Sequence, residues 1–186
     1  MTHINLNDIA IKVHENAKAK GFYDREQNIG ERMMLVVSEL SEGLEAHRKR
    51  RNANLELFQK LQETQSFVSA FEECVKDTIG DELADAVIRL CDFCGYKGIT
   101  ISLSPGTVEY IPDFNFGECL LCLTKSLYNI YFSIDIASGK VISSHIEQLF
   151  VNLFSIAKMM DIDLPTHITL KMKYNETRPA KHGKEY

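Results

Sequence analysis

Apolar residues recur at intervals of three and four along most of this chain, a spacing that predicts helices almost from end to end. Leu6, Ile9, Ala10, Val13 and Ala17 form the first stripe, which sets a helix from near Asn5 to Lys20 that stops at Gly21. After a short loop, Met33, Val36, Val37, Leu40 and Leu44 carry a second helix from Ile29 to about Lys49. The polar stretch Arg51 to Asn54 leads into a shorter helix near Leu55 to Gln62. A long helix is expected next, from about Phe67 to Cys94, built on Cys74, Val75, Ile79, Leu83, Ala86, Val87 and Leu90 and ending near Gly95 and Gly98. Between 99 and 115 the pattern changes to alternation around Ser104-Pro105-Gly106-Thr107, which predicts a short hairpin or an extended connector. Helices resume at about Gly117 to Phe132, Val141 to Met160 and Pro165 to Thr177, before a polar, basic tail from Arg178 to Tyr186. The expected fold class is all-α, a helical bundle.

The two halves of this pattern echo each other. Asn28-Ile29-Gly30-Glu31 opens one helix and Asn115-Phe116-Gly117-Glu118 another, while Tyr96 to Ile101 and Met159 to Leu164 close the corresponding later helices. The reading is a degenerate tandem repeat of helical hairpins, residues 1–104 and 113–186, within a single domain 1–186. In that alignment Glu39 and Glu42 correspond to Ser126 and Asn129, and Glu82 and Asp85 to His145 and Gln148. The second half lacks the acids of the first.

Composition narrows the function classes. With 45% hydrophobic and 25% charged residues, the 186-residue chain is expected to bury a packed core. A net charge of −5 and a pI near 5.7 argue against a surface that holds a nucleic-acid polymer. No apolar run reaches the roughly 18–20 residues that span a bilayer, and the start is polar, so no membrane partner is expected and the expected location is cytoplasmic. Five cysteines without a secretory signal argue against a disulfide framework. Cys91-x-x-Cys94 and Cys119-x-x-Cys122 have the spacing of a zinc site, but both fall inside helices rather than turns, so buried thiols are expected.

Two acidic pairs interrupt the apolar stripes: Glu39-x-x-Glu42 and Glu82-x-x-Asp85. Residues three apart share a helix face, with Cβ atoms about 5–6 Å apart. Either pair alone is an ordinary solvated face. Brought together on antiparallel helices, they place four carboxylates around one cavity. Such hard oxygen ligands select Mg²⁺, with Mn²⁺ possible, and Mg²⁺ usually takes substrate phosphates as further ligands. Glu45 and Asp81 are weaker candidates beside them. Lys171, Asn175 and Arg178 fall at i, i+4 and i+7 of the last helix, one face offering two cations and an amide to phosphates. The run His47 to Arg51 is a second basic element, though as a helix terminus it also suits the dipole. A di-iron bundle would need Glu-x-x-His motifs, and His145-x-x-Gln148 lacks the carboxylates.

The segments Ser38-Glu39-Leu40-Ser41-Glu42 and Asp81-Glu82-Leu83-Ala84-Asp85, with the ending Lys171-x-x-Tyr174-Asn175-x-x-Arg178-Pro179, resemble the MazG-like all-α nucleoside triphosphate pyrophosphohydrolases, which include dimeric dUTPases and dCTP pyrophosphatases. The resemblance spans nearly the whole chain. It implies Mg²⁺-dependent cleavage of a nucleoside triphosphate to the monophosphate and pyrophosphate, with Glu39, Glu42, Glu82 and Asp85 as catalytic metal ligands. It also implies that Lys171, Asn175, Tyr174 and Arg178 bind substrate, and that His14 and Tyr23 contact the base. A homo-oligomer, a dimer, goes with that family. The competing reading is a non-catalytic helical module that binds a nucleotide.

Overall fold

The computed structural model describes residues 4–103, 115–134 and 139–183. Among them are eight α-helices and no strand, so the fold is all-α. The helices are α1 (Leu6–Ala19), α2 (Ile29–Arg48), α3 (Leu55–Leu61), α4 (Phe67–Cys74), α5 (Ile79–Lys97), α6 (Phe116–Ser133), α7 (Gly139–Met159) and α8 (Leu164–Thr177). A 3-10 turn, Ala180–Gly183, follows.

Polar caps set the starts. Asn5, Asn28, Asn54 and Asn115 each accept a backbone N–H of the turn they precede, and Asn115 with Glu118 completes a capping box. The centre of the bundle is α5, whose Leu83, Ala84, Ala86, Val87 and Leu90 are all essentially inaccessible. It packs on α1, α2, α7 and α8, while α6 joins α2 to α7. Gly95 lets α1 close on it: a Cβ there would lie 2.7 Å from both the Ala10 carbonyl and the His14 Cβ. A smaller apolar cluster, with Phe58, Phe71 and Val75, joins α3 and α4 to Tyr174 of α8.

The single long helix expected over Phe67 to Cys94 is two helices. The chain breaks after Cys74 and restarts at Ile79. Asp77 takes a left-handed conformation, φ 57°, and Thr78 caps α5 by accepting the Asp81 N–H. The apolar stripe runs through the break because Cys74, Val75 and Ile79 are buried on both sides of it. As a result Asp81 and Glu82 fall in the first turn of α5, where the helix dipole favours negative charge.

Of the connector expected over 99–115, residues 99–103 carry no regular element and 104–114 lie outside the described residues. Cys91, Cys94 and Cys119 are buried as expected, whereas Cys122 is exposed. Burial pushes the Cys94 thiol up to about 12, and among the described residues no cysteine joins a group of three metal-capable side chains. No described helix is long and apolar enough to cross a membrane.

Candidate metal and phosphate site

Helices α1, α2, α5 and α8 and the loop after α1 enclose a cavity of about 320 Å³, within the range of small-molecule sites. Glu39, Glu42, Glu82 and Asp85 all line it, as do Lys171, Tyr174, Asn175 and Arg178. Both acidic pairs and the late helix therefore meet in one place.

At the acidic end the carboxylates are closely spaced. One oxygen each from Glu39, Glu42 and Glu82 lie within 4.8 Å of one another, and the same holds for Asp77, Asp81 and Glu82. Glu39 and Glu82 are buried, and Glu42 is exposed. Arg89, one turn beyond Asp85, donates to Glu39 at 2.5 Å. The Lys171 ammonium bridges Asp81 Oδ2 at 2.7 Å and Asp85 Oδ2 at 3.0 Å. Asn175 donates more weakly to Asp85 at 3.4 Å.

Charge in this cluster is only partly offset. Burial, more than the neighbouring carboxylates Asp81, Asp85 and Glu39, pushes Glu82 up to about 9 even with Lys171 nearby. Burial likewise raises Glu39, against the pull of Arg89, and lifts Asp81 to about 6. Burial tends to lower the Lys171 ammonium, but Asp85 and Asp81 outweigh it and hold the proton more tightly than usual. Two buried acceptors, Asp81 Oδ1 and Asn175 Oδ1, have no hydrogen-bond partner among the described residues. Hard oxygen donors, excess negative charge and unfilled acceptors together fit a divalent cation. These carboxylates can hold a metal ion.

Behind the acids, His167 of α8 lies against α5. A Cβ on Gly80 would come within 2.5 Å of its ring, so the close approach of α8 depends on glycine there. Burial lowers His167 to about 4, and its Nδ1 has no partner among the described residues.

The opposite end is organised by Asp92. Its Oδ1 meets Tyr23 Oη at 2.8 Å and His14 Nδ1 at 3.0 Å, and its Oδ2 accepts from Arg32 at 2.7 Å. The Arg32 guanidinium stacks over the Tyr23 ring, 4.3 Å from its centre, and is also held by Gln27. Phe22, Arg32 and Asp92 line the cavity; His14 and Tyr23 stand behind them, on Asp92. Tyr174 stacks on Phe71 and donates to Glu72.

Apart from Arg178, several lining residues carry no motif. Lys12, Lys76 and Arg178 face the cavity and form no ion pair among the described residues. Arg89, Asp92 and Arg32 were equally hidden in the sequence, although Arg89 and Asp92 follow Asp85 at four and seven positions, the spacing of one helix face. The basic run after α2 lies elsewhere: Arg48 and Lys49 pair with exposed Glu45, and His47 stacks on Phe116. Ser126, Asn129, His145 and Gln148, the counterparts of the acidic set, do not line the cavity.

Compared with family models, with curated proteins and with solved structures, the chain finds no match. The functional reading therefore rests on the site and on the motifs themselves.

Proposed function

We propose that the protein is a Mg²⁺-dependent nucleoside triphosphate pyrophosphohydrolase, releasing pyrophosphate and a monophosphate in nucleotide-pool house-cleaning. The observation that carries this reading is the continuity of one cavity. Carboxylates suited to a cation lie at one end, Phe22 and the Asp92–Arg32 pair at the other, and Lys12, Lys76 and Arg178 stand along the wall.

Glu39, Glu42 and Glu82 would hold the cation, which would supply charge neutralisation for phosphate and a more acidic water. The chain's own residues do the rest. Lys12, Lys76 and Arg178, which form no ion pair among the described residues, offer positive charge to a polyphosphate, and Arg178 at the end of α8 adds a planar fork suited to its oxygens. Lys171 and Asn175 hold Asp85 and Asp81 in place. Phe22 gives an apolar face for a base, and Asp92 fixes the orientation of Arg32 beside it. A homodimer is part of this proposal, following the family resemblance.

The test is pyrophosphate release from a panel of ribo- and deoxyribonucleoside triphosphates with Mg²⁺. Release from at least one of them is expected. No release from any, with the protein folded and metal bound, overturns the reading; tight nucleotide binding without release would instead support a non-catalytic binding module.

A further inference from the structure

The acidic cluster offers two overlapping places for a cation. One is Glu39, Glu42 and Glu82; the other is Asp77, Asp81 and Glu82, and Glu82 is common to both. The first is open. Arg89 engages one oxygen of Glu39, while Glu42 and Glu82 form no ion pair among the described residues. The second already holds a cation at Asp81, its most buried member: the Lys171 ammonium lies 2.7 Å from Asp81 Oδ2 and 3.0 Å from Oδ2 of Asp85, one turn on from Asp81, with its side chain only 6% exposed and that of Asp81 fully buried.

A lysine ammonium is a compact point charge with three donors, the side chain that most nearly imitates a small hydrated cation. Holding one in the interior is unfavourable unless carboxylates surround it. This one is held between two. The cluster still asks for more positive charge: Asn175, 7% exposed, turns its amide nitrogen to Asp85, and neither its Oδ1 nor Asp81 Oδ1 has a hydrogen-bond partner among the described residues.

We propose that Lys171 is the resident second cation of this site, occupying the position beside Asp81 and Asp85 that a second divalent ion would take, so that the chain binds a single divalent ion through Glu39, Glu42 and Glu82. The inference rests on the metal site of the proposed hydrolase. It assigns a number to that site. A dication placed beside Asp81 would meet an ammonium 2.7 Å from the same carboxylate, and the repulsion between them excludes it. Removing the ammonium should open the second place.

The experiment is titration of the full chain with Mn²⁺, free ion being read by electron paramagnetic resonance, without nucleotide. One ion per wild-type chain is expected, two per chain for Lys171→Met, and one again for Lys171→Arg, which keeps a cation in place. If Lys171→Met does not fold without metal, circular dichroism should show it folding as Mn²⁺ is added, with two ions taken up. Two ions on the wild type, or a single ion on folded Lys171→Met, overturn the inference and leave the hydrolase reading standing. No ion on the wild type overturns both. In the other cases pyrophosphate release, measured separately, decides the hydrolase reading.

Discussion

Lys171 of α8 and Asp81 of α5, 90 residues apart in sequence, form a buried ion pair at 2.7 Å. This pair fastens the last helix to the start of the central one, and the candidate site is built around it.

Glu82→Gln should abolish turnover with little loss of folding. Burial already favours the neutral form of Glu82, whose pKa is raised to about 9, so the amide replaces a group that is protonated near neutral pH without metal. Even partners behind a metal ligand are worth roughly 10–100-fold in affinity or activity, and a ligand should be worth at least that. The measurements are pyrophosphate release and the thermal midpoint with and without Mg²⁺. Activity near wild type would remove Glu82 from the ligand set.

Stability without metal should show a falling alkaline limb and no loss on a shallow acid limb. Above pH 6.5, folded Glu82 keeps a proton up to about 9 that the unfolded chain releases near 4.5, so stability declines as pH rises. Between about pH 4.5 and 6.5, His167 binds a proton when unfolded, pKa 6.5, that it refuses when folded, about 4. This loss on acidification is opposed by Glu82 and by Asp81, which keeps a proton up to about 6 that the unfolded chain releases near 3.8. Mg²⁺ should abolish the alkaline decline. Thermal midpoints across pH in EDTA and in Mg²⁺ check both limbs, and parallel curves would show that the cation does not bind at Glu82.

Gly80→Ala sets two effects against each other. Alanine is the better helix former by about 1 kcal/mol, but its Cβ would press on the His167 ring at 2.5 Å. Overpacking of that kind costs about 1–3 kcal/mol, so net destabilisation is expected. Combining it with His167→Ala should restore much of the loss, a coupling that denaturant unfolding of the double-mutant cycle would reveal. Additive losses would mean that the two residues do not press on each other.

Asp92→Asn should weaken substrate binding more than turnover. It removes the charge that orients Arg32 and one acceptor for Tyr23 and His14. A hydrogen bond to a charged group contributes about 1.5–3 kcal/mol, and a loss of unfolding free energy of that order is expected. KM should rise with kcat little changed. The reverse split would place Asp92 at the reacting end.

The helices and their starts were legible because caps and apolar stripes are local. Asn28 and Asn115 declare themselves within four residues of the turns they cap. The break between α4 and α5 was not, since its agents, Asp77 and Thr78, look like any polar pair while the buried stripe passes through them. The four acids stood out because charge inside an apolar pattern is unusual. Asp81 did not, although it is more buried than any of them: its partner lies on another helix, and no local spacing signals a contact of that range. Glu45, its equal in sequence, is an exposed partner of Arg48 and Lys49.

The position of Lys171 on α8 also bears on the order in which the chain is made. A ribosome delivers Asp81 90 residues before the ammonium that pairs with it. Until α8 emerges and docks, α2 and α5 carry carboxylates that repel one another, which disfavours their close packing in the nascent chain. Completion of the site is thereby tied to the last helix, and a chain truncated before α8 would lack both one wall of the cavity and the ammonium that offsets Asp81 and Asp85.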